Sequence, residues 1–580
     1  MVKTNKSQLL KMVLLAIVGA VLIGAVSAEG ATGVTYVVAA PDSVNPRADY
    51  ICTNTYDTCI QDAINAVTGI GGKIALLDGT YNISSPITIS KNSITMVGAG
   101  RLGTRLLVQN SMTSVINITG NRVTLENFGI TVTENYSIDS AVKITGKRTK
   151  LSDFVIMVQN AAPVNYGVIT QGSYTKLSNV RMEGFVKGGI KFDGPTATGY
   201  DDKLLGGMVE NSQFINSVGY SNDSGVEIYG AAARITIKNN IFEELDNAVY
   251  AHEVGVREED IIIDGNNFMY SKLHFCENGN GDITAPLRTV IITNNHVYDG
   301  TLLFDAEVDN KTEWRTIIAN NTIYRKSNKS DTVINLEYGG GMITGNLINL
   351  GGVTELDEPG GTGLLIGQEG SNIIGNIFNS GATRIKLIGG VSNIVISGNK
   401  FLYMGYCVKD DQGNVIGCND TIGIHLKEKV REWDSKVVGP YNVTISGNVF
   451  GIGLSTGHYS GIVLDPHSQW NLITDNIFDW VDPATLIDPQ GTNNTIRNNK
   501  GFVTENAGTA VIVSGSNSIT VSHGLDITPS ISNINVAPTN NMGNASKFWV
   551  SNVTATTFDI NVDNDPGTGG AEFSWQITSY

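Results

Sequence analysis

Ten short segments between residues 237 and 502 share one phrase: apolar residues, a small or polar residue, an asparagine, then an apolar residue close behind. They read IKNNIF, IIDGNNF, IITNNHV, IIANNTI, MITGNLI, NIIGNIF, VISGNKF, TISGNVF, LITDNIF and TIRNNKGF. The marker residues are Asn240, Asn266, Asn295, Asn321, Asn346, Asn376, Asn399, Asn448, Asn476 and Asn499. Most are 23 to 30 residues apart, and one gap is 49. A fixed period of this size specifies a solenoid, in which each repeat buries its apolar face only against its neighbours. The repeats alternate apolar and polar residues over short runs bounded by turn residues, so the coils are built from strands. Each marker Asn is expected to occupy the left-handed bend between two strands, and stacked Asn side chains are expected to hydrogen-bond from coil to coil. Their role is structural.

Upstream, DTCIQDAINAVTGIGGKIALLDGTYNISSPITI contains a short helical pattern. Ile60, Ala63, Ile64 and Val67 form one apolar face, Asp57 is placed to cap the helix, and Gly71 and Gly72 are placed to end it. Such a helix would cover the open end of a coil stack, where strand edges are otherwise unpaired. This segment and the V-x-I-x-x-N-x-F phrase resemble the pectate lyase/pectin lyase-like superfamily. The resemblance spans roughly residues 34 to 505. It implies an all-β, right-handed parallel β-helix with a short N-terminal capping helix, and it leaves function open, because this fold hosts lyases, hydrolases, spikes and non-catalytic surface proteins.

The expected organisation is a secretory signal at 1–28, a capping segment at 29–73, the β-helix at 74–505 and a small β-sandwich at 506–580. Lys3, Lys6 and Lys11 precede the apolar run Met12 to Val26, and Val26-Ser27-Ala28 offers a cleavage site. The run is short for a membrane span. Removing these three lysines moves the formal net charge from −16 to −19, which argues against nucleic acid or an anionic membrane as partner. Twelve N-x-S/T sequons follow the signal, at Asn82, Asn117, Asn135, Asn222, Asn310, Asn320, Asn328, Asn419, Asn442, Asn493, Asn544 and Asn552. They fit a secreted or cell-surface glycoprotein. Cys52 with Cys59 and Cys407 with Cys418 are expected local disulfides, leaving Cys276 as a small packing residue. After residue 505 the Asn phrase stops. The segment SITVSHGLDITPS…FWVSNVTATTFDINV is similar to a module at the C-termini of phage-tail and surface proteins, one that would cap, bind or trimerise. Trp549 and Trp575 in it are expected in the core rather than on a sugar.

Chemistry is expected on one outward face. Stacking GVEIYG, AVYAHEV, KLHFCEN, LLFDAEV, VINLEYG, LLIGQEG, RIKLIGG, GIHLKEK and GIVLDPH places Val226/Ile228, Val249/Ala251, Leu273/Phe275, Ile334/Leu336, Ile385/Leu387 and Ile424/Leu426 inward. The outward column holds Glu227, His252, Glu253, His274, Glu277, Asp305, Glu307, Asn335, Glu337, Lys386, His425, Lys427, Asp465 and His467. β-Elimination of a uronate polymer would use Lys386 as base and Ca2+ held near Asp305, Glu307 and Glu337. Glycoside hydrolysis would use Asp305 with Glu337 as the carboxylate pair. Asp305, Glu337, Lys386 and His425 are thus the catalytic candidates, and His252, His274, Glu307, Asn335 and Asp465 the substrate-binding ones. The polygalacturonase-like pattern NTD…DD…GHG…RIK is absent: Asp201-Asp202 and Arg384-Ile385-Lys386 occur alone, and Gly457-His458 follows the last of them.

Two functions follow. One is a surface β-helix glycoprotein that binds polysaccharide, with lyase or glycosidase action as an option. The other is a non-catalytic structural surface protein, adhesin or virus-type receptor-binding fibre. A homotrimer is compatible with either.

Overall fold

The computed structural model describes residues 33–578 apart from 45–46, 55–56, 160–161, 196–203, 217–222, 253–259, 278–287, 307–313, 326–331, 338, 351–360, 403–405, 410–414, 420, 432–433, 452–458 and 480–485. The signal segment and the pairs Asp201-Asp202 and Gly457-His458 lie outside the described residues.

The chain winds into a parallel β-solenoid of the right-handed type. One wall is a 15-stranded parallel sheet running from Ile87–Ile89 to Ile487–Pro489; the remaining walls join into a 31-stranded sheet. A typical coil contributes Ala232–Lys238 and Ile241–Glu243 to the large sheet, then Asn247–His252 to the other. Side chains alternate in and out along each strand. The six inward pairs expected from the stacked segments are all fully buried. The strand Val34–Ala39 already belongs to the solenoid wall, pairing with Gly72–Leu76.

The asparagines form a continuous buried ladder. From Asn240 to Asn499, each Nδ2 donates to the Oδ1 of the next at 2.9–3.0 Å. Each backbone N–H donates to the same oxygen at 2.9–3.1 Å. The left-handed bend itself falls one residue earlier than expected. Asn239, Gly265, Asn294, Asn320, Gly345, Gly375, Gly398, Gly447, Asp475 and Asn498 carry φ between 54° and 67°. The division of labour is physical. The preceding Gly, Asn or Asp tolerates positive φ, and this frees the marker Asn to turn its amide along the column. The apolar residue behind the marker forms a second ladder. Phe378, Phe401, Phe450 and Phe478 stack with centroids 5.3, 4.7 and 4.7 Å apart.

Helix α1 spans Cys59–Ala66 and buries Ile60, Ala63 and Ile64; Val67 beyond its end is buried too. Its cap position is Thr58 rather than Asp57, with no side-chain bond to the backbone. It ends before Gly71 and Gly72 because Lys91 closes it, with Nζ donating to the carbonyls of Ile64, Asn65 and Val67 at 3.2, 2.6 and 2.5 Å. The Cys52–Cys59 disulfide ties its first residue to the preceding segment. Cys276 is buried and unbridged. From Asn506 onward the pairing becomes antiparallel. Two three-stranded sheets enclose a core that includes Phe558, Phe573 and Trp575, while Trp549 is 49% exposed. Among the described residues, no helix is long and apolar enough to cross a membrane.

Candidate functional site

The 15-stranded sheet aligns one outward residue per coil, among them the expected Glu227, His274, Asn335, Lys386 and His425. Successive partners run Lys191, Glu227, Tyr250, His274, Leu303, Asn335, Leu365, Lys386, His425, Val463 and Asp488. Chemistry concentrates near the C-terminal end of this column. His425 Nε2 lies 2.9 Å from Asp465 Oδ1, and Asp465 Oδ2 accepts the backbone N–H of Glu428 at 3.1 Å. Glu428 in turn pairs with His467 Nδ1 at 2.6 Å. Lys386 is the cross-strand neighbour of His425. Burial and the nearby charge of Lys427 lower its pKa, while Asp465 and Glu337 pull it up. This places Glu337, Lys386, His425 and Asp465 within one electrostatic neighbourhood.

Beside them the turns of successive coils form an open groove of about 1090 Å³. Its lining includes Glu337, Gln368, Gln469, His467, Tyr441 and Trp470. Trp470 is 62% and Tyr441 39% exposed. An antiparallel hairpin, Lys429–Val430 with Val437–Val438, forms one wall. Lys429 Nζ reaches from it to Glu337 Oε1 at 2.9 Å, and Arg431 pairs with Asp434 at 2.7 Å. The hairpin belongs to the insertion in the 49-residue gap, whose charged run LKEKVREW was its sequence signal. Tyr441, Gln469 and Trp470 were missed, because they sit in the turns between strand columns, where no periodicity marks a side chain as outward.

The other expected residues fare differently. Asn335 holds the turn, accepting the backbone N–H of Glu337 at 2.9 Å, so its oxygen positions Glu337. Asp305 lies in the strand Leu302–Ala306, one coil before Glu337, but its side chain lies outside the description, as do Glu253 and Glu307. Among the described residues no group of three or more His, Cys, Asp or Glu side chains is arranged to hold a metal ion. Arg384 is wholly buried, and burial lowers its pKa to about 9. It therefore does not share the outward face with Lys386.

His252 and His274 stand apart from the groove, in a cluster around Glu227. The buried Glu227 carboxylate accepts from the Tyr166 hydroxyl at 2.7 Å, and it lies 3.0 Å from His252 Nε2 and 3.4 Å from Lys191 Nζ. Burial alone would raise its pKa; the bonds from His252 and Tyr166 and the charge of Lys191 outweigh this and hold it low. The Tyr250 and His252 rings stack with centroids 4.1 Å apart, and Tyr229 and His274 complete a row of rings at 5.1 and 5.2 Å.

No protein-family profile and no curated protein matches the chain. Among solved structures, a mutant tailspike protein of E. coli bacteriophage HK620, in complex with pentasaccharide, aligns at 13% identity with a TM-score of 0.49, covering 91% of this chain and 92% of that one. The unmutated tailspike protein, again with pentasaccharide, aligns at 12% identity with a TM-score of 0.46, covering 91% and 93%. At these scores the alignments add no weight, and the fold assignment rests on the strand pairing described above.

Proposed function

We propose that this protein is an extracellular or cell-surface polysaccharide-binding β-solenoid whose ligand lies in the groove beside Lys386 and His425. One observation carries this reading: an open groove of about 1090 Å³ with exposed Trp470 and Tyr441 set among Gln368, Gln469, Glu337 and Lys429. Aromatic faces take the apolar faces of pyranose rings, and amide and charged groups take the hydroxyls. Catalysis is the second reading, favoured by Lys386, a half-buried ammonium of lowered pKa that carries no hydrogen bond or ion pair among the described residues. Such a group suits proton abstraction next to a uronate carboxylate. Hydrolysis by Asp305 with Glu337 is its competitor.

The finer architecture belongs to the same proposal. The solenoid is of the pectin lyase-like type, α1 closes its first coil, and residues 506–580 form a β-sandwich module that trimerises the chain or extends its binding surface. A cleaved signal at 1–28 exports it. The sequons support a glycosylated surface protein: Asn135, Asn320, Asn442, Asn493, Asn544 and Asn552 are exposed, and Asn82 and Asn117 half-buried. Cys407 and Cys418 face each other across an antiparallel pair, a separation a disulfide spans; peptide mapping without reduction reads that bridge directly. A non-catalytic adhesin or receptor-binding fibre would use the same groove.

The test is residues 29 to 580 on dextran, xylan, alginate and polygalacturonate, with Ca2+ or with chelator. Binding, new unsaturated ends and new reducing ends are followed together. Retention of at least one polymer, weakened by Trp470→Leu, is expected. Unsaturated ends that vanish in Lys386→Ala establish a lyase, whereas reducing ends without unsaturation establish hydrolysis. Loss of nothing in Trp470→Leu would remove the groove from the reading.

A further inference from the structure

The cluster around Glu227 lies on the same 15-stranded sheet as Lys386, beside which the groove opens. Tyr250 and Lys386 occupy one column, five strand steps apart, about 24 Å at ordinary strand spacing. Its chemistry differs from that of the groove. Lys191 Nζ sits 4.1 Å above the Tyr229 ring and pairs with Asp193 at 3.3 Å and Glu227 at 3.4 Å. The ionic groups are thereby satisfied within the cluster, and what they do is fix rings. Glu227 anchors His252, which stacks on Tyr250 and meets Tyr229 edge-on. Tyr229, Tyr250, His252 and His274 all remain partly exposed. Four partly exposed rings, packed on one another and with His252 held by the buried Glu227, form a fixed apolar row of ring edges on the sheet surface. Rings locked in advance lose little side-chain entropy on contact.

We infer that this row of rings is a second glycan-contact platform, which takes the apolar faces of neutral pyranose units in a polysaccharide whose other stretch occupies the groove. This rests on the groove reading above. The occupant follows from the chemistry: the one cation among the described residues of the cluster, Lys191, is already held by Asp193 and Glu227, so the cluster offers no free positive charge to an anionic ligand. Its position, in the strand column of Lys386 beside the groove, suits one long chain. A polymer that engages both places gains through effective concentration, which a short fragment cannot do.

The experiment uses residues 29 to 580, as wild type, Tyr250→Leu and Trp470→Leu. Affinity electrophoresis in dextran, xylan, alginate and polygalacturonate is paired with calorimetry on trisaccharides of each, which are too short to span about 24 Å. Leu303 and Leu365 stand in the same column as Tyr250, so the column accepts leucine. Tyr250→Leu is expected to weaken polymer binding at least tenfold and to leave trisaccharide binding in the groove unchanged. Tyr250→Phe, which keeps the ring, is expected to behave as wild type. If Tyr250→Leu binds polymer as wild type does while Trp470→Leu does not, the platform is refuted and the groove reading stands. If Trp470→Leu is silent and Tyr250→Leu is not, the groove reading falls and the rings alone hold glycan. Retention of no polymer by the wild type overturns both.

Discussion

At mid-ladder, the Asn346 side chain bridges both neighbouring coils. Its Oδ1 accepts from the Asn321 backbone N–H and Nδ2 at 2.9 and 3.0 Å, and its Nδ2 donates to the Ile318 carbonyl at 2.8 Å and to Asn376 Oδ1 at 2.9 Å. Asn346→Ala strands buried donors and acceptors on both neighbouring coils and is expected to cost about 2–4 kcal/mol. Asn499→Ala, at the end of the ladder, strands fewer and is expected to cost less. Chemical unfolding midpoints decide this, and equal losses would mean that the ladder's interior is no more cooperative than its end. Asp223 tests electrostatics at a single residue. Burial and the nearby charge of Asp246 raise its carboxyl to about 6, against backbone N–H bonds that lower it. The folded state therefore holds this proton more tightly than the unfolded chain. Stability from this group is complete below pH 4 and is lost as pH rises through about 6, on the order of 3 kcal/mol. Asp223→Asn keeps an acceptor for the Asp246 N–H and is expected to raise the unfolding temperature at pH 7.5 while leaving it unchanged at pH 4. A thermal series across that range would show the opposite slope if the carboxylate were stabilised by its site.

Among the elements, α1 and the inserted hairpins show what pattern reading reaches and where it stops. The buried face of α1 was visible, because i, i+3, i+4, i+7 spacing is a property of the helix alone. Its termination was not. The chain after Ala66 contains glycines that end helices in general, but the group that satisfies the last carbonyls is Lys91, 24 residues beyond Val67. Lys91→Met is expected to destabilise the first coil by about 1–2 kcal/mol, since it leaves those carbonyls without their charged donor. Hydrogen exchange localises the effect: faster exchange in 59–76 alone supports it, and unchanged exchange there removes Lys91 as the closing group. The hairpin wall of the groove announced itself as a break in the period and a charged run, LKEKVREW. Its backbone pairing, Lys429 with Val438 and Val430 with Val437, then places Lys429 against Glu337, 92 residues away in sequence.

At the scale of the whole molecule, the described residues form two hydrophobic cores. The solenoid core runs from Val38 to Phe502, and a separate core from Ala510 to Ile577 fills the C-terminal sheets. Separate cores imply separate unfolding transitions. Phe573→Ala empties the centre of the smaller core and is expected to lower only its transition, by about 3–5 kcal/mol. A single transition in calorimetry that moves as one in this variant would show the two cores to be energetically coupled. The coil stack and its inward residues were legible without coordinates. Period and alternation are local, and one repeat predicts the next because each packs on a near copy of itself. Solenoid stacking also placed Lys386 beside His425, since parallel strands in register align residues by counting. Counting fails in the turns, where Trp470, Tyr441 and Gln469 meet, and in the insertion, because side-chain direction there depends on contacts with other coils. The sequence alone therefore determined the repeat, the inward pairs and the neighbourhood of Lys386 and His425 in the outward column. Tertiary structure decided which turns converge into a groove, that Lys429 reaches Glu337, and that Glu227 holds a row of rings, because those contacts join residues that no local pattern relates.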